Sequence, residues 1–459
     1  MRTRLLVSCL VAGVLAGVAS TAEAIPAFAR RYGTSCQTCH FAFPKLSPFG
    51  EAFRRNGYSF PGKDEDFVKQ EQIPLGQEAY RQVFPDAVWP GTLPASAPLA
   101  LGFNGAMTMH PRRSSGAAQA DNRSIVSLQD LVEEGHLWAG GAFSEHIAYF
   151  AEVTFSAQDK TAEIEHAELH FNNLGLSPHL VNLFVGRGVP NLTSFAPHSS
   201  YIGDTVLPSF AVTALFGGDG DSAFSTMGQY NLVEVNGMAK GRFIYSVGAD
   251  SGGSFGTHTT QNAYAHVGFK VGGMRLDGEG DTTGNAQKPW AENAVTVDAY
   301  GYRSVSNTVT ADLMMSFVDL IYVVGGHVRG TAGSFEVDGG VVRESHSQAS
   351  VAGVGVKALA LYSELSYVVY PWLVPAVRVE YLSLAPDGAD HINDLRVLAG
   401  AAALVRPNLK LTLTGAVEHA NAAPTAGWFA DGSDRAAAPT PGSAVTEFES
   451  IELGLAYAF

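Results

Sequence analysis

The chain has 459 residues, of which 50 are glycine, 10% are aromatic and only 16% are charged, and its formal net charge is −15. This acidity speaks against a nucleic-acid partner and favours cations, although the same charge also solubilises exposed loops. The composition suits strands and turns rather than an ordinary helical enzyme, and three cysteines do not suggest a disulfide framework.

Residues 1–24 have the features of a secretory signal segment. Arg2 and Arg4 precede a short apolar run that contains Cys9, and Ala22 and Ala24 form an A-x-A cleavage site. The run is too short to span a bilayer as a helix, and no stretch of about 18 apolar residues follows it. We therefore expect a protein exported from a bacterial cytoplasm, without helical membrane spans.

Three regions are expected after the signal segment. Residues 25–62 are compact, aromatic and basic, residues 63–98 form a linker rich in Pro and acidic residues, and residues 99–459 alternate strands with turns. Six Lys or Arg residues against a single Glu give residues 25–63 a net charge of +5. Without the signal segment the chain carries −16, so residues 64–459 carry −21. This split predicts attraction between the two parts, which salt would screen.

The long third region has the alternation of strands with one apolar and one polar face. In "HIAYFAEVTFS", for example, Ile147, Tyr149, Val153 and Phe155 share a face. Further strands are predicted near 180–187, 228–236, 242–250, 263–271, 295–303, 308–318, 353–368, 376–383, 394–405 and 409–419. A soluble β-sandwich would produce the same alternation.

Two features favour a membrane barrel over a sandwich. Short turns ("YPWLVP", "VRPN") occur together with long polar loops, an asymmetry typical of outer-membrane barrels. The last stretch, "SIELGLAYAF", alternates and ends on Phe459, which resembles the C-terminal assembly signal of bacterial barrels. We predict a mainly β protein of the bacterial outer membrane: a transmembrane antiparallel β-barrel of about 16 strands, with 14 or 18 fitting nearly as well, and a small N-terminal helical domain.

The sequence "CQTCH", Cys36 to His40, is a motif for covalent attachment of c-type haem. Its two thiols add to the haem vinyl groups, and the adjacent His40 ligates the iron from the proximal side. A redox dithiol with a nearby histidine is the alternative. Export of the chain and the absence of another cysteine after residue 24 favour one covalently attached haem c, held by Cys36, Cys39 and His40.

The second axial ligand of such a haem is missing from the N-terminal regions, because residues 25–98 contain no other His and no Met. Met107, Met109 and His110 are the first candidates along the chain. In "EIEHAELHF" the alternation places His166 and His170 on the polar face, which makes both of them distal candidates. They could equally be polar residues that line a wet lumen.

The N-terminal sequence resembles the fused outer-membrane monohaem cytochrome–porin family, known as ferrous-iron oxidases of iron-oxidising bacteria. The resemblance covers about 35 residues, and position 47 holds Ser where the family pattern has Asn. The matching residues are Pro26, Phe28, Ala29, Arg30, Cys36, Cys39, His40, Pro44, Leu46, Phe49, Gly50, Phe53, Gly57 and Tyr58.

The resemblance implies an Fe(II):cytochrome c oxidoreductase in the outer membrane. Extracellular Fe(II) would be the electron donor, and the single haem, held in or under the barrel, would pass electrons to a soluble periplasmic cytochrome. Two alternatives remain: a conduit for another extracellular donor or acceptor, and a solute porin with an accessory haem domain. No catalytic residue beyond the haem is expected.

Overall fold

The computed structural model of the chain describes most of it, but neither the predicted signal segment 1–24 nor Phe459. In this part of the chain no helix is long and apolar enough to cross a membrane. The described residues are 27–42, 44–60, 64–74, 82–83, 92–94, 98–110, 113–114, 125–128, 131–144, 146–157, 160–175, 177–195, 200–202, 228–251, 262–278, 290–309, 316–349, 353–420 and 446–458.

The N-terminal part consists of short helices and two small antiparallel ribbons, which the strands β1–β2 and β3–β4 form. The predicted linker thus carries a helical turn and a ribbon among its described residues. The elements are α1 Ala27–Tyr32, α2 Cys36–Cys39, β1 His40–Ala42, β2 Lys45–Leu46, α3 Pro48–Arg55, α4 Asp64–Phe67, β3 Gln72–Pro74 and β4 Thr92–Pro94.

A closed antiparallel barrel follows, and its first strand begins at Leu99. Sixteen of its strands within the described residues run through the wall, which confirms the predicted number; β6 and β7 are two short additions beside β5. The strands are β5 Leu99–His110, β6 Arg113–Ser114, β7 Ile125–Ser127, β8 Glu134–Ser144, β9 Ile147–Ser156, β10 Thr161–Phe171, β11 Asn182–Gly188, β12 Tyr230–Ala239, β13 Phe243–Asp250, β14 Asn262–Gly272, β15 Glu292–Val309, β16 Ser316–Gly333, β17 Phe335–His346, β18 Val356–Tyr367, β19 Leu373–Pro386, β20 Ile392–Arg406, β21 Leu409–Ala420 and β22 Thr446–Ala458.

The first and last long strands close the barrel. β22 pairs antiparallel with β5, and Leu453 lies opposite Met107 while Tyr457 lies opposite Phe103. Each remaining strand pairs with its neighbours along the chain. Closure leaves no open sheet edge, which is the condition for a β-sheet to span a bilayer.

The alternation of the sequence sorts side chains between lipid and lumen. Along β14 the apolar residues Val267, Phe269 and Val271 are 47%, 51% and 59% exposed on the outside, whereas His266 and Lys270 are buried inside. Phe155 likewise is exposed, as its predicted face requires. A barrel with an apolar exterior and a polar interior is the arrangement that lipid and a wet lumen together demand.

The predicted strands fail between residues 308 and 346. The stretch 308–318 is not one strand, because β15 ends at Val309 and β16 begins at Ser316. Most of β16 and the whole of β17 were not predicted, and neither β5 nor β8 was predicted as a separate strand. β16 and β17 carry glycine pairs and inward charges such as Arg329 and Asp338, and these interrupt the apolar–polar rhythm by which strands are recognised.

The two ends of the barrel have connections of different length. The longest connections, 111–133, 189–229 and 421–445, join strands at one end. Those at the other end are mostly short, such as 145–146 and 407–408, with 273–291 as the exception. Outer-membrane barrels place short turns towards the periplasm and long loops outside the cell. We call these ends the periplasmic end and the outer end.

A charge on the lipid-facing surface tests this orientation of side chains. Val379 lies in the middle of β19 and is 42% exposed. We expect Val379→Arg to destabilise the protein in lipid vesicles, lowering its free energy of unfolding by about 2–4 kcal/mol, because lipid solvates a guanidinium poorly at mid-bilayer. Urea titrations of the refolded protein would measure the loss. The control Val379→Leu should unfold like wild type; equal stability of all three proteins would contradict the orientation.

Candidate functional site: the cavity at the CxxCH motif

The N-terminal segment, defined here as residues 27–42 and 44–60, lies inside the barrel and spans its lumen. On one side the ring of Tyr58 stacks on Phe150 of β9 with centroids 4.9 Å apart. On another side Lys45 Nζ lies 2.5 Å from Glu336 Oε1 at the start of β17. Because β9 and β17 are half the circumference apart in the strand order, the segment contacts opposite walls.

Aromatic side chains form the core of the N-terminal segment. The ring of Phe53 meets those of Phe28 and Tyr32 edge-on, with centroids 5.1 and 5.8 Å apart. Tyr32 also packs against Phe60 at 4.3 Å. So short a segment has too little surface to bury by itself, and the aromatic cluster together with the barrel wall supplies the missing apolar contacts.

An inner loop, residues 189–195 and 200–202, folds into the lumen after β11 and contacts the N-terminal segment from the outer end of the barrel. Arg55 donates hydrogen bonds to the carbonyl oxygens of Thr193 at 2.8 Å and Ser194 at 3.0 Å. Burial lowers the pKa of Arg55 to about 10, so its guanidinium is still charged at neutral pH. The basic segment, which was predicted to be attracted to the acidic body, is therefore bound by backbone carbonyls of the body as well as by its carboxylates.

The CxxCH motif occupies one helical turn and the start of β1. Cys36 and Cys39 are unbridged thiols at the two ends of α2. Burial raises the pKa of the Cys39 thiol to about 12 and also raises the pKa of the Cys36 thiol. Neither thiol therefore has the thiolate character of a reactive dithiol.

His40 is fixed by a hydrogen bond from its own turn. Its ring nitrogen Nδ1 lies 3.0 Å from the carbonyl oxygen of Pro44, to which a protonated Nδ1 donates. Burial lowers the pKa of His40 and so favours the neutral imidazole. In this tautomer the lone pair is on Nε2, the nitrogen through which such a histidine can ligate iron.

Ser47 connects the CxxCH motif to helix α3. Its backbone N–H donates to the carbonyl oxygen of Cys39 at 2.8 Å, and its hydroxyl donates to that of Thr38 at 2.9 Å. The same hydroxyl caps α3 by accepting from the N–H of Gly50 at 3.1 Å. At Gly50 a Cβ atom would lie 1.9 Å from the Cys39 carbonyl oxygen, so only glycine lets the two backbones approach this closely.

A cavity of about 750 Å³ lies between the segment and the barrel wall. Cys36, Cys39 and His40 line it from the segment. Cofactor sites in proteins typically enclose about 300–1,000 Å³, so the cavity is large enough for one cofactor beside the motif. Its lining from the barrel includes Trp138, His166, His170, Lys410 and Glu452.

The two barrel histidines predicted as distal candidates both line this cavity. Glu168 lies between them: one carboxylate oxygen is 2.5 Å from His166 Nδ1 and the other is 2.8 Å from His170 Nε2. The ring of His170 also meets that of Tyr58 edge-on at 5.4 Å. Of the two, His170 is therefore the one whose ring contacts the N-terminal segment.

The two methionines that come first along the chain point away from the cavity. Met107 and Met109 of β5 lie opposite Leu453 and Ile451, whose side chains are 44% and 39% exposed on the outer face. As candidates for the distal position they were wrong, because strand register places them towards lipid. The side chain of His110 lies outside the described residues.

Sequence reasoning did not identify a group of polar residues that lies beside His166. Glu152 of β9 and Glu165 of β10 lie close to its imidazole, and His136 of β8 bonds Glu152 through Nδ1 at 2.9 Å. These residues come from three strands, and no spacing along the chain relates them. The lumen-facing positions of the alternation could have suggested Glu152, but not Glu165, which a register shift brings to the lumen.

The barrel is similar to known porins. It matches the anion-selective porin from Comamonas acidovorans with a TM-score of 0.54 at 12% identity, covering 79% of this chain and 99% of that chain. It matches the trimer form of OmpT, an outer-membrane protein of Vibrio cholerae, with a TM-score of 0.50 at 11% identity, covering 79% and 99%. The fold is that of an outer-membrane porin.

No protein-family model matches the chain, and no curated protein matches its sequence. Structural likeness at such low identity concerns the fold alone. Together with the closed sheet and the apolar exterior described above, the porin fold makes this chain a β-barrel of the bacterial outer membrane.

The capping role of Ser47 can be tested with two substitutions. Ser47→Ala removes the cap of α3, which is worth about 0.5–2 kcal/mol in other helices, and should speed amide hydrogen exchange in residues 48–55. Ser47→Asn supplies another capping oxygen and should retain most of the protection. Mass spectrometry of the full chain would measure both; equal exchange in wild type and Ser47→Ala would show that the hydroxyl does not hold α3.

Proposed function

We propose that the chain is an outer-membrane electron-transfer protein that oxidises extracellular Fe(II) and passes the electrons, by way of one c-type haem, to a periplasmic carrier. The observation that carries this proposal is the placement of Cys36, Cys39 and His40 together on a cavity inside a membrane barrel. Each Fe(II) would lose one electron and become Fe(III), and the periplasmic carrier would gain that electron.

The residues at the cavity fit a covalently attached haem. The two thiols lie on one helical turn, and His40 follows with Nδ1 already bound to a carbonyl oxygen. When bound, a c-type haem supplies reversible exchange of one electron at its iron. The protein would hold it by Cys36 and Cys39, ligate it with His40, and exclude lipid from it with the barrel wall.

The position of the segment supports the direction of transfer. Asn172, which follows β10 at the periplasmic end, donates through its side-chain amide to the carbonyl oxygen of Asn56 at 3.0 Å. Glu336, which pairs with Lys45, also lies at that end. The CxxCH segment is thereby anchored near the periplasm, where a soluble acceptor could reach it, while the outer loops face the donor.

His170 is our candidate for the distal haem ligand, with His166 as the weaker one. Its ring is stacked on Phe184 at 4.6 Å and is in contact with Tyr58 of the segment. Its orientation is further restrained by Glu168, in the way that carboxylates orient ligating histidines. His166 is instead directed by Glu168 towards Glu152.

Two alternatives share parts of this arrangement. A conduit for another extracellular donor or acceptor would use the same haem and barrel. A solute porin with an accessory haem domain is favoured by the fold itself, which is similar to an anion-selective porin. Against a simple pore, the N-terminal segment contacts opposite walls of the lumen.

Fe(II) added anaerobically to the purified, haem-loaded protein should produce the absorption bands of a reduced c-type cytochrome. The reason is that one electron from each Fe(II) would reach the attached haem. Cys36→Ser with Cys39→Ser is the control, because it removes the covalent link and should abolish haem staining in denaturing gels. If dithionite reduces the haem and Fe(II) does not, the donor is not iron.

The porin alternative predicts a different outcome in cells. His40→Ala would then leave electron uptake from the donor intact and change the flux of solutes through the outer membrane. Electron-transfer function predicts the reverse: loss of electron uptake with unchanged solute flux. Oxygen consumption driven by the donor and uptake of a labelled solute would be measured in the same cells.

Substitution of the two barrel histidines tests the distal ligand. We expect His170→Ala to convert the oxidised haem spectrum from low spin to high spin, because the iron loses its second nitrogen ligand, while His166→Ala leaves the spectrum unchanged. Absorption and electron paramagnetic resonance spectra of the purified variants would measure this. A low-spin spectrum in His170→Ala would assign the ligand elsewhere.

A further inference from the structure

The lumen wall formed by β8, β9 and β10 carries a group of potential metal ligands that the haem does not need. One ligand atom each from Glu152, Glu165 and His166 lies within 4.8 Å of the other two. Metal bonds to imidazole nitrogen and carboxylate oxygen are about 2.0–2.2 Å long, so ligands on opposite sides of one ion are about 4 Å apart. The three atoms are therefore close enough to share one cation after a small movement.

A β-bulge brings Glu165 into this group. β10 pairs with β9 so that Ile164 lies opposite Val153 and His166 lies opposite Glu152, and the register shifts between them. Glu165 is the extra residue at this shift. In a regular strand Glu165 and His166 would point to opposite faces; here both line the lumen cavity. Bulges re-aim side chains in this manner next to functional sites.

The imidazole of His166 is already oriented as a metal ligand would be. Its Nδ1 lies 2.5 Å from a carboxylate oxygen of Glu168, while its Nε2 lies 3.7 Å from Oε2 of Glu152. A protonated Nδ1 bound to a carboxylate fixes the tautomer in which Nε2 carries the lone pair. Metal-binding histidines in proteins almost always donate their other ring N–H to a carboxylate, a backbone carbonyl or water.

Two further groups complete the surroundings. His136 of β8 has Nδ1 at 2.9 Å from Oε1 of Glu152 and Nε2 at 3.6 Å from Oε2 of Glu134. The side chains of Glu152 and His136 are only 11% and 14% exposed, so these carboxylates and imidazoles do not belong to a solvated outer surface. These potential ligands are concentrated inside the lumen, where a cation could bind them.

The ion pairs of this wall join carboxylates to histidines. On other walls buried carboxylates pair either with arginine, as Glu380 does with Arg378 at 2.6 Å and Asp338 with Arg329 at 2.7 Å, or with histidine, as Asp298 does with His266 at 2.8 Å. Around Glu152 the ion pairs among the described residues are with the imidazoles of His136 and His166. A divalent cation bound here would supply the positive charge that arginine supplies at Glu380 and Asp338.

We infer that Glu152, Glu165 and His166, with His136 and Glu134 beside them and Glu168 behind His166, form a binding site for a divalent first-row transition metal. Mixed imidazole and carboxylate ligands suit such ions better than they suit Mg²⁺ or Ca²⁺, which prefer oxygen alone. The site shares the cavity of Cys36, Cys39 and His40. Its role as the place where the Fe(II) donor binds rests on the proposed function; metal binding itself does not.

Equilibrium dialysis of the full-length, haem-loaded protein in detergent against Zn(II), which is redox-inert, tests the site. Wild type should bind one Zn(II) per chain at this wall, and Glu165→Gln and His166→Ala should each weaken this binding at least tenfold. Glu168→Gln should weaken it by about 10–100-fold through the orientation of His166. The matched control is Glu163→Gln, which removes the same charge from the same strand and should bind Zn(II) like wild type.

Equal binding by Glu165→Gln and wild type, or equal weakening by Glu163→Gln and Glu165→Gln, would overturn the site. The second result would mean that general acidity, not this arrangement, attracts the metal. The function is judged separately, by anaerobic Fe(II) reduction of the haem. Zn(II) binding without reduction by Fe(II) would uphold the site and reject iron as donor, whereas reduction without Zn(II) binding at this wall would do the opposite.

Discussion

The hydrogen bonds between β5 and β22 are the constraint on which the rest of the structure depends. They close a sheet that could not otherwise cross a bilayer, because lipid offers no partner to an exposed sheet edge. Closure also creates the lumen. Inside the lumen the N-terminal segment packs against opposite sides of the barrel wall. So short a segment needs these contacts, because its own aromatic cluster is small.

The order along the barrel axis follows from the same closure. The segment with the CxxCH motif is tied to the periplasmic end through Asn172 and Glu336. The inner loop enters from the outer end and binds the segment through Arg55. On the proposed function, a donor from outside and an acceptor from the periplasm would approach one cavity from two directions, with no need for the membrane wall to open.

The alternation of the sequence predicted the strands and the lumen face of His166 and His170, because period two maps directly onto lipid and water. The loop asymmetry and the C-terminal strand ending on Phe459 were needed to predict a barrel, and the length of the strand region to predict about 16 strands. The alternation could not reveal β17, where glycine pairs and inward charges hide the rhythm. It also could not place Glu165, since a bulge is a shift in pairing and leaves no mark in one strand alone. Contacts such as Lys45–Glu336 join residues far apart in the chain, so they follow only from the closed fold. At position 47, where the pattern of the family that the sequence resembles has Asn, Ser47 caps α3, a role that Asn can also fill.

The enclosure of Cys36 and Cys39 restricts the order in which the molecule can be built. Their thiols line a cavity of about 750 Å³ between the N-terminal segment and the barrel wall, a space far smaller than an enzyme. If the proposed function holds, a haem joined to these thiols would be attached while the N-terminal segment is still outside a finished barrel, before β5 meets β22. Biogenesis would then follow a fixed sequence of events: export, attachment in the periplasm, and only then closure in the membrane.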